Sequence, residues 1–587
     1  MQISISILVG NANSGISYVK RLIRNFKARV LSYPNSIFEA EACLDATLEE
    51  LNGIGLLDNA SLIITPNAYN EGILYDVIPN TPLGDMDVVR ATTATRVNAD
   101  GLIEVVPRNL ASYSEQFDNA SWVKTNTTIT SNTTIAPNGT LTADTLGILS
   151  GQYLYQNIAI TSSNIYTISI YVKVLSGTKQ FKFNVYGSGN NFTSSAYTAT
   201  TQWQKFNYTF IATGTGGAGI YPLIVDGLTG GDFYIWGAQL EAGSTSTSYF
   251  PTTTRLNIPR LDYSGGGCPS ILVEPQRTNL ITYSEQFNDA SWVKLNATVT
   301  ANYSVSPDGT QNADRIQFTT SNTSSIYRAI GGATTDANSI YVKGVAGEKV
   351  LFGYGANISV GTLFTLNGEW QRLEQISTTG TVFHIGNYSG GTASDILIWG
   401  AQREAGSNAT SYIPTVASTV TRNADVISKT GIDDLIGQTE GTIFVDFKIS
   451  GFQAGAENRF AISDGTTSNW IFIGIPEDGN NKGSRFYIRT NGSTAVDFGT
   501  PNYFTLNTQY KIALAYKSGS WAIYTNGALL TSGTDAIANP SSPFSNLIYN
   551  GSSPSPTNNQ PNTNQFNSVQ LYKTRLSNTE LSQLTTI

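Results

Sequence analysis

The chain has 587 residues, a formal charge of −8 and only 13% charged side chains, against a usual share of roughly 25%. A mildly acidic, charge-poor chain excludes broad binding to a phosphate backbone, which needs clustered Lys and Arg, and no run approaches the ~20 apolar residues of a membrane span. Neither nucleic acid nor membrane insertion is therefore expected, while 40% apolar and 11% aromatic residues amid abundant Thr, Ser, Asn and Gly favour strands joined by polar turns.

The opening MQISISILVG alternates Ile3, Ile5 and Ile7 with Ser4 and Ser6 and has no basic start or small-residue cleavage pattern. It reads as a strand rather than a signal peptide. In ISYVKRLIRNFKARV, Ile16, Val19, Leu22, Ile23 and Phe26 recur at helical spacing and predict an amphipathic helix. Its other side carries Lys20, Arg21, Arg24, Lys27 and Arg29, the densest basic cluster of the chain. That cluster is either a solvated face or a docking surface for an acidic partner. A second helix is expected from Ser36, with Ser36 and Glu39 as a capping box, a Leu44, Leu48, Leu51 stripe and a stop at Asn52-Gly53. LIITP around Ile63 reads as a buried strand, so residues 1–90 are expected to form a small α/β domain. Cys43 and Cys268 lie far apart, imply no disulfide framework and read as unpaired thiols.

From Val97 the pattern turns to β. YTISIYVKV alternates Ile168, Ile170 and Val172 with Thr167, Ser169 and Tyr171, and FKFNVY alternates Phe181, Phe183 and Val185 with Lys182, Asn184 and Tyr186. NLASYSEQFDNASWVK (109–124) returns as NLITYSEQFNDASWVK (279–294), and DFYIWGAQLEAGSTSTSYFPT (232–252) as DILIWGAQREAGSNATSYIPT (395–415). Between the phrases the register holds: Trp122 matches Trp292, Tyr171 matches Tyr341, Trp203 matches Trp370 and Trp236 matches Trp399. This is a duplication of whole sandwich domains, too long for a solenoid repeat. In YIWGAQL, strict alternation puts Trp236, Ala238 and Leu240 on one face, a core stripe, with Arg403 standing where Leu240 stands in the first copy. Thr95-Arg96, Thr254-Arg255 and Thr421-Arg422 read as hinges, and RLDYSGGGCPSILVEPQRTNL as a linker with one short strand.

The last segment differs. KIALAYKSGSWAIYTNGALLTSG predicts three strands turning at Ser518-Gly519 and Asn526-Gly527. Residues 540–564 read as a surface loop, and RLSNTELSQL as a short helix capped by Ser577 and Glu580. Trp470, Tyr487 and Trp521, among polar turns rich in Asn and Asp, are the glycan-stacking candidates. The single His, His384, reads as structural, and no zinc-site, P-loop or dinucleotide pattern is present, so no cofactor is expected.

The phrases NL-x-x-YSEQF-x-x-x-SWVK, IWGAQ-x-EAGS and TSY-x-PT closely resemble modules of tailed-bacteriophage virion proteins, in which jelly rolls similar to carbohydrate-binding modules are strung along fibres or capsid decorations. TNGALL and VQLYKTRLSNTELSQL resemble a laminin G-like, concanavalin-type sandwich. The resemblance implies a mainly β chain: an α/β virion-docking domain at 1–90, a jelly roll at 91–253, a linker plus a second jelly roll at 254–417, and a laminin G-like sandwich at 418–587. It implies a virion-surface location, a homotrimer, and attachment to host polysaccharide, with Lys20, Arg21, Arg24 and Lys27 facing capsid, baseplate or collar proteins. The alternatives are a head fibre or decoration without a ligand, and a depolymerase. Concanavalin-type hydrolases place two Glu close together on one strand. Glu440 is isolated and Glu457 and Glu477 lie in polar loops, so no enzyme is expected. Laminin G-like domains often hold Ca²⁺, for which Asp464 and Asp478 are candidates, and both also read as ordinary turn residues.

Overall fold

The computed structural model describes residues 5–586 apart from 34–35, 107–108, 161, 163–164, 243–245, 247–248, 254–256, 321, 332–334, 379, 453–457, 476–483, 501–502 and 552–561, and describes no side chains at 5–17, 242, 458 and 550. The fold is mainly β. Among the described residues the α-helices are Ile5–Leu31 (α1), Glu41–Gly53 (α2) and Asn578–Leu584 (α3). Two compact units divide the chain: Val105–Leu256, and Met1–Glu104 together with Asn257–Ile587.

Val105–Leu256 is a jelly roll. One sheet runs in the order Gln204–Ile211, Ile165–Lys173, Gly231–Ala242, Ala143–Ile148, Thr128–Thr134. The other runs Asn190–Thr193, Lys179–Gly187, Gly216–Ile224, Tyr153–Ile160, Val123–Thr125. Ile168, Ile170, Val172, Phe181, Phe183 and Val185 meet in one core, as their alternation predicts. The second copy, inside the other unit, repeats both strand orders with Gln371–Ser377 and Thr362–Thr365 as the leading strands.

The repeated phrases are the two ends of each module, closed on each other. Asn109 Nδ2 donates to the carbonyls of Ala238 and Phe250, and Asn279 Nδ2 to those of Ala401 and Ile413. The Ser114 and Tyr249 hydroxyls lie 2.6 Å apart, as do those of Ser284 and Tyr412. Trp122 Nε1 donates to the Tyr113 carbonyl at 2.9 Å, and Trp292 Nε1 to that of Tyr283 at 3.1 Å. Gly237 and Gly400, at φ 65° and 66°, carry a bulge that resets the alternation. Ile235, Ala238 and Leu240 therefore enter the main core, while Trp236 packs outside it against Tyr249 at 4.5 Å. The single core stripe of Trp236, Ala238 and Leu240 is thus corrected: strict alternation misses the inserted residue. Arg403 is buried, donates to Asp336 at 2.8 Å and lies 4.3 Å over the Tyr354 ring.

The N- and C-terminal segments share one sheet system. Ala60–Asn70 pairs with the C-terminal strand Thr563–Tyr572, and Met86–Val89 with Val426–Thr430. Helices α1, α2 and α3 pack on the outer face of the concanavalin-type sandwich: Val19, Ile23, Phe26, Leu44, Leu48 and Leu581 meet Phe444, Ala513, Ala522 and Tyr572. The chain start is helical from Ile5, not a strand, because the short alternation is continued by a strong helical segment. Ile37–Phe38 pairs with Tyr69 and Ala68, so α2 begins after Ala40 without the expected capping box. The box at Ser577 and Glu580 does form. The cysteines are joined as Cys43–Cys268, their Cα atoms 5.7 Å apart, which corrects the reading as free thiols.

The expected linker is part of the fold. Leu261–Asp262 and Ser270–Val273 are strands, the second pairing with Thr563–Tyr572. Two of the expected hinges are buried anchors, and Thr254-Arg255 lies outside the described residues. Arg96 pairs with Glu104 at 2.7 Å. Arg422 and Arg260 both reach Glu274, at 2.7 and 2.6 Å, and Arg260 and Arg90 both bond Asp425. Burial alone would raise the Glu274 carboxyl, yet Arg422 and Arg260 hold it at about 2. Within the expected surface loop at 540–564, Asn546–Gly551 is a strand, and residues 552–561 lie outside the described part.

Removing one partner of a buried ion pair strands the other charge. Asp336→Ala should lower unfolding free energy by about 3–5 kcal/mol, and the double change with Arg403→Leu should recover most of it in chemical denaturation. Each clasp also holds a carboxyl: burial pushes Glu115 up to about 7 and Glu285 up to about 8. A folded value above the ordinary 4.5 stabilises at low pH, and that stabilisation is lost as pH rises through 8. Denaturation at a series of pH values should show stability falling over that window, with the slope reduced in Glu285→Gln.

Candidate functional site

The outer face of the sheet containing Tyr153–Ile160 in the first jelly roll is lined by tyrosine. On that strand Leu154, Ile158 and Ile160 point into the core, which leaves Tyr153, Tyr155 and Asn157 on the outside. The neighbouring strand contributes Tyr221, and the next contributes Lys182, Asn184 and Tyr186. Tyr155 stacks on Tyr221 with ring centroids 4.7 Å apart, and Tyr153 meets Tyr221 edge-on at 5.8 Å. Tyr221 lies down over Gly219, where a Cβ would fall 2.7 Å from its ring. Tyr186, whose strand partner is Gly219, is 61% exposed. At the rim Tyr153 donates to Asp226 at 2.9 Å, and the Asp226 carbonyl accepts from Lys182 at 3.1 Å. Flat rings flanked by amide, ammonium and carboxylate groups can stack on an apolar sugar face while bonding its hydroxyls.

The second copy has the same sheet and has closed the same face. Tyr155 pairs with Val123 and Tyr327 with Val293, so Tyr327 takes the place of Tyr155. Across from Tyr327 stands His384, and beyond it Gly353, with Gly355 further along the same strand. The 356–361 segment lies on these glycines: a Cβ on Gly353 would come 2.7 Å from the Val360 carbonyl, and one on Gly355 would come 2.6 Å from Val360 Cβ. Beneath it His384 is fully buried and donates from Nε2 to the Val360 carbonyl at 2.8 Å. Burial lowers its pKa, so the imidazole is neutral at pH 7.

Trp470 and Tyr487 are brought together, their centroids 5.9 Å apart with Phe472 between, on the outer face of the C-terminal sandwich. They are only 7% and 6% exposed, with the Arg459 guanidinium 4.7 Å over Trp470 and that of Arg485 4.8 Å over Tyr487. Trp521 is elsewhere, buried against Gly533, with Nε1 donating to Asp535 at 2.7 Å. None of the three presents the open ring of Tyr186. On α1, Lys20, Arg21 and Arg24 are exposed. Lys27 is paired with Glu41 at 2.5 Å, and Arg29 is turned inward onto Asp76 and Asp85. Asp464 closes its own turn by accepting from Thr466 and Asn469, and Glu440 is paired with Lys517. Asp478, Glu457 and Glu477 lie outside the described residues.

Residues 431–582 match the family model described as the concanavalin A-like lectin/glucanases superfamily. No curated protein matches the chain. Among solved structures, a carbohydrate-binding module of the Ruminococcus gnavus IT-sialidase bound to α2,3-sialyllactose is 19% identical, covering 27% of this chain and 87% of its own, with a TM-score of 0.23. The tandem CBM22 domains of Paenibacillus barcinonensis Xyn10C are 11% identical over 51% of this chain and 97% of theirs, at 0.21. Domain 4 of the Geobacillus stearothermophilus arabinanase AbnA, in complex with arabinotriose, is 13% identical over 30% and 82%, at 0.22.

Proposed function

We propose that this protein attaches to surface polysaccharide, and that the first jelly roll makes the contact through Tyr153, Tyr155, Tyr186 and Tyr221. The observation that carries the reading is the open ring of Tyr186 beside the stacked Tyr155–Tyr221 pair on an otherwise polar sheet face. The match of residues 431–582 to a family that includes lectins is consistent with it. In this reading the chain sits on a virion surface, with exposed Lys20, Arg21 and Arg24 turned to an acidic virion partner; the resemblance of the repeated phrases to those of tailed-phage virion proteins supports it. A homotrimer would gain avidity from several weak sites without new contacts. The closed face of the second jelly roll favours a spacer role for that copy, which is the decoration reading confined to one module.

The test is binding of labelled full-length protein to intact host cells, with and without enzymatic removal of surface polysaccharide. Binding should be saturable and lost with the polysaccharide. Tyr186→Ala and Tyr221→Ala should each weaken it about tenfold, or about 1.4 kcal/mol, without changing thermal stability by a comparable amount. Unchanged binding in both variants would remove the tyrosine face from the reading.

A further inference from the structure

The other unit has a cavity under α2. It measures about 340 Å³, within the range of about 300–1,000 Å³ typical of ligand sites, and opens on the outer face of the concanavalin-type sandwich. Its floor follows from strand register. Lys448 stands directly opposite Gln509 on one neighbouring strand and Gln565 on the other, so the three side chains form one row. Asn567 continues the floor, Thr65 and Asn67 form one wall, and the Gly265–Cys268 loop forms another. The Cys43–Cys268 disulfide ties that loop to α2.

The hydrogen bonds around this cavity leave several polar atoms free to meet a ligand. Gln509 and Asn567 each give one amide N–H to Asp446, Gln565 gives both of its own to Asp262 and Ser264, and Asn67 gives both of its own to the carbonyls of Glu39 and Ala40. Among the described residues the four amide oxygens accept no hydrogen bond, and Gln509 and Asn567 each keep a second N–H, a set suited to sugar hydroxyls, which both donate and accept. The Thr65 hydroxyl, only 2% exposed, has no partner among the described residues. A buried hydroxyl without a partner is a cost that a ligand can remove. Lys448 has no carboxylate within ion-pair distance among the described residues, so the row also offers one cation. No aromatic ring lines the cavity, which argues for a single polar unit held by hydrogen bonds rather than a stacked chain.

We propose that this cavity binds one acidic sugar unit, a hexuronate, with its hydroxyls on the amide oxygens and Thr65 and its carboxylate on Lys448. The site is independent of the tyrosine face. The experiment is ligand-detected NMR titration of the full-length chain with glucuronate, using glucose as the neutral control. Glucuronate should bind with a Kd of order 1 mM and glucose about tenfold more weakly. Lys448→Met should reduce glucuronate to the level of glucose, and Thr65→Val should weaken both, each variant first shown folded by its melting curve. Tyr186→Ala should change nothing. Absence of glucuronate binding at about 50 mM, fifty times the expected Kd, would overturn the proposal. So would equal binding of glucose, or affinity unaffected by Lys448→Met. Loss of binding in Tyr186→Ala would assign the sugar to the tyrosine face and overturn it as well.

Discussion

A hydroxyl contact buried at the seam of each jelly roll, Ser114 with Tyr249 and Ser284 with Tyr412, sets what the rest of the module can do. It joins the entering phrase to the leaving one, so the chain begins and ends each sandwich at the same place. Around it the same partners recur: an Asn that bridges two carbonyls, a Trp fixed by its indole N–H, and a glycine bulge that turns a second Trp onto the tyrosine ring. Because closure is secured at the seam, the outer sheet face is free to change without loss of the fold.

The two copies use that freedom in opposite ways. In the first, the outer face keeps four tyrosines and a glycine that lets one ring lie flat. In the second, glycines at 353 and 355 admit the 356–361 segment onto the same surface, and His384 is sealed under it. A buried imidazole with an engaged Nε2 is a structural group, which is how the lone His reads in the sequence. Glycine thus serves both outcomes, by making room for a ring in one copy and for backbone in the other.

Much of the fold was legible from periodicity. The alternation of FKFNVY and YTISIYVKV, the Asn526-Gly527 turn and the Ser577–Glu580 cap all give the local structure found. What was not legible depends on long-range pairing. Nothing local to Cys43 or Cys268 indicates that the two meet, or that Arg96 and Arg422 are buried in ion pairs with Glu104 and Glu274 instead of marking joints. The bulge at Gly237 defeats strict alternation because one inserted residue reverses every face after it. Nothing in the sequence shows that Trp470 and Tyr487 lie under the Arg459 and Arg485 guanidinium groups. The outward tyrosine face has its local signal in the polar half of FKFNVY, where Lys182, Asn184 and Tyr186 alternate with the core residues.

The duplicated sheet face is open in the first jelly roll and closed in the second. The most direct measurement is a crystal structure of the full chain soaked with oligosaccharides released from a polysaccharide that retains it. Sugar rings should lie on Tyr155, Tyr186 and Tyr221 over Gly219, with the 356–361 segment still seated on Gly353. Sugar bound at the His384 face with that segment displaced, and none on the tyrosines, would contradict it.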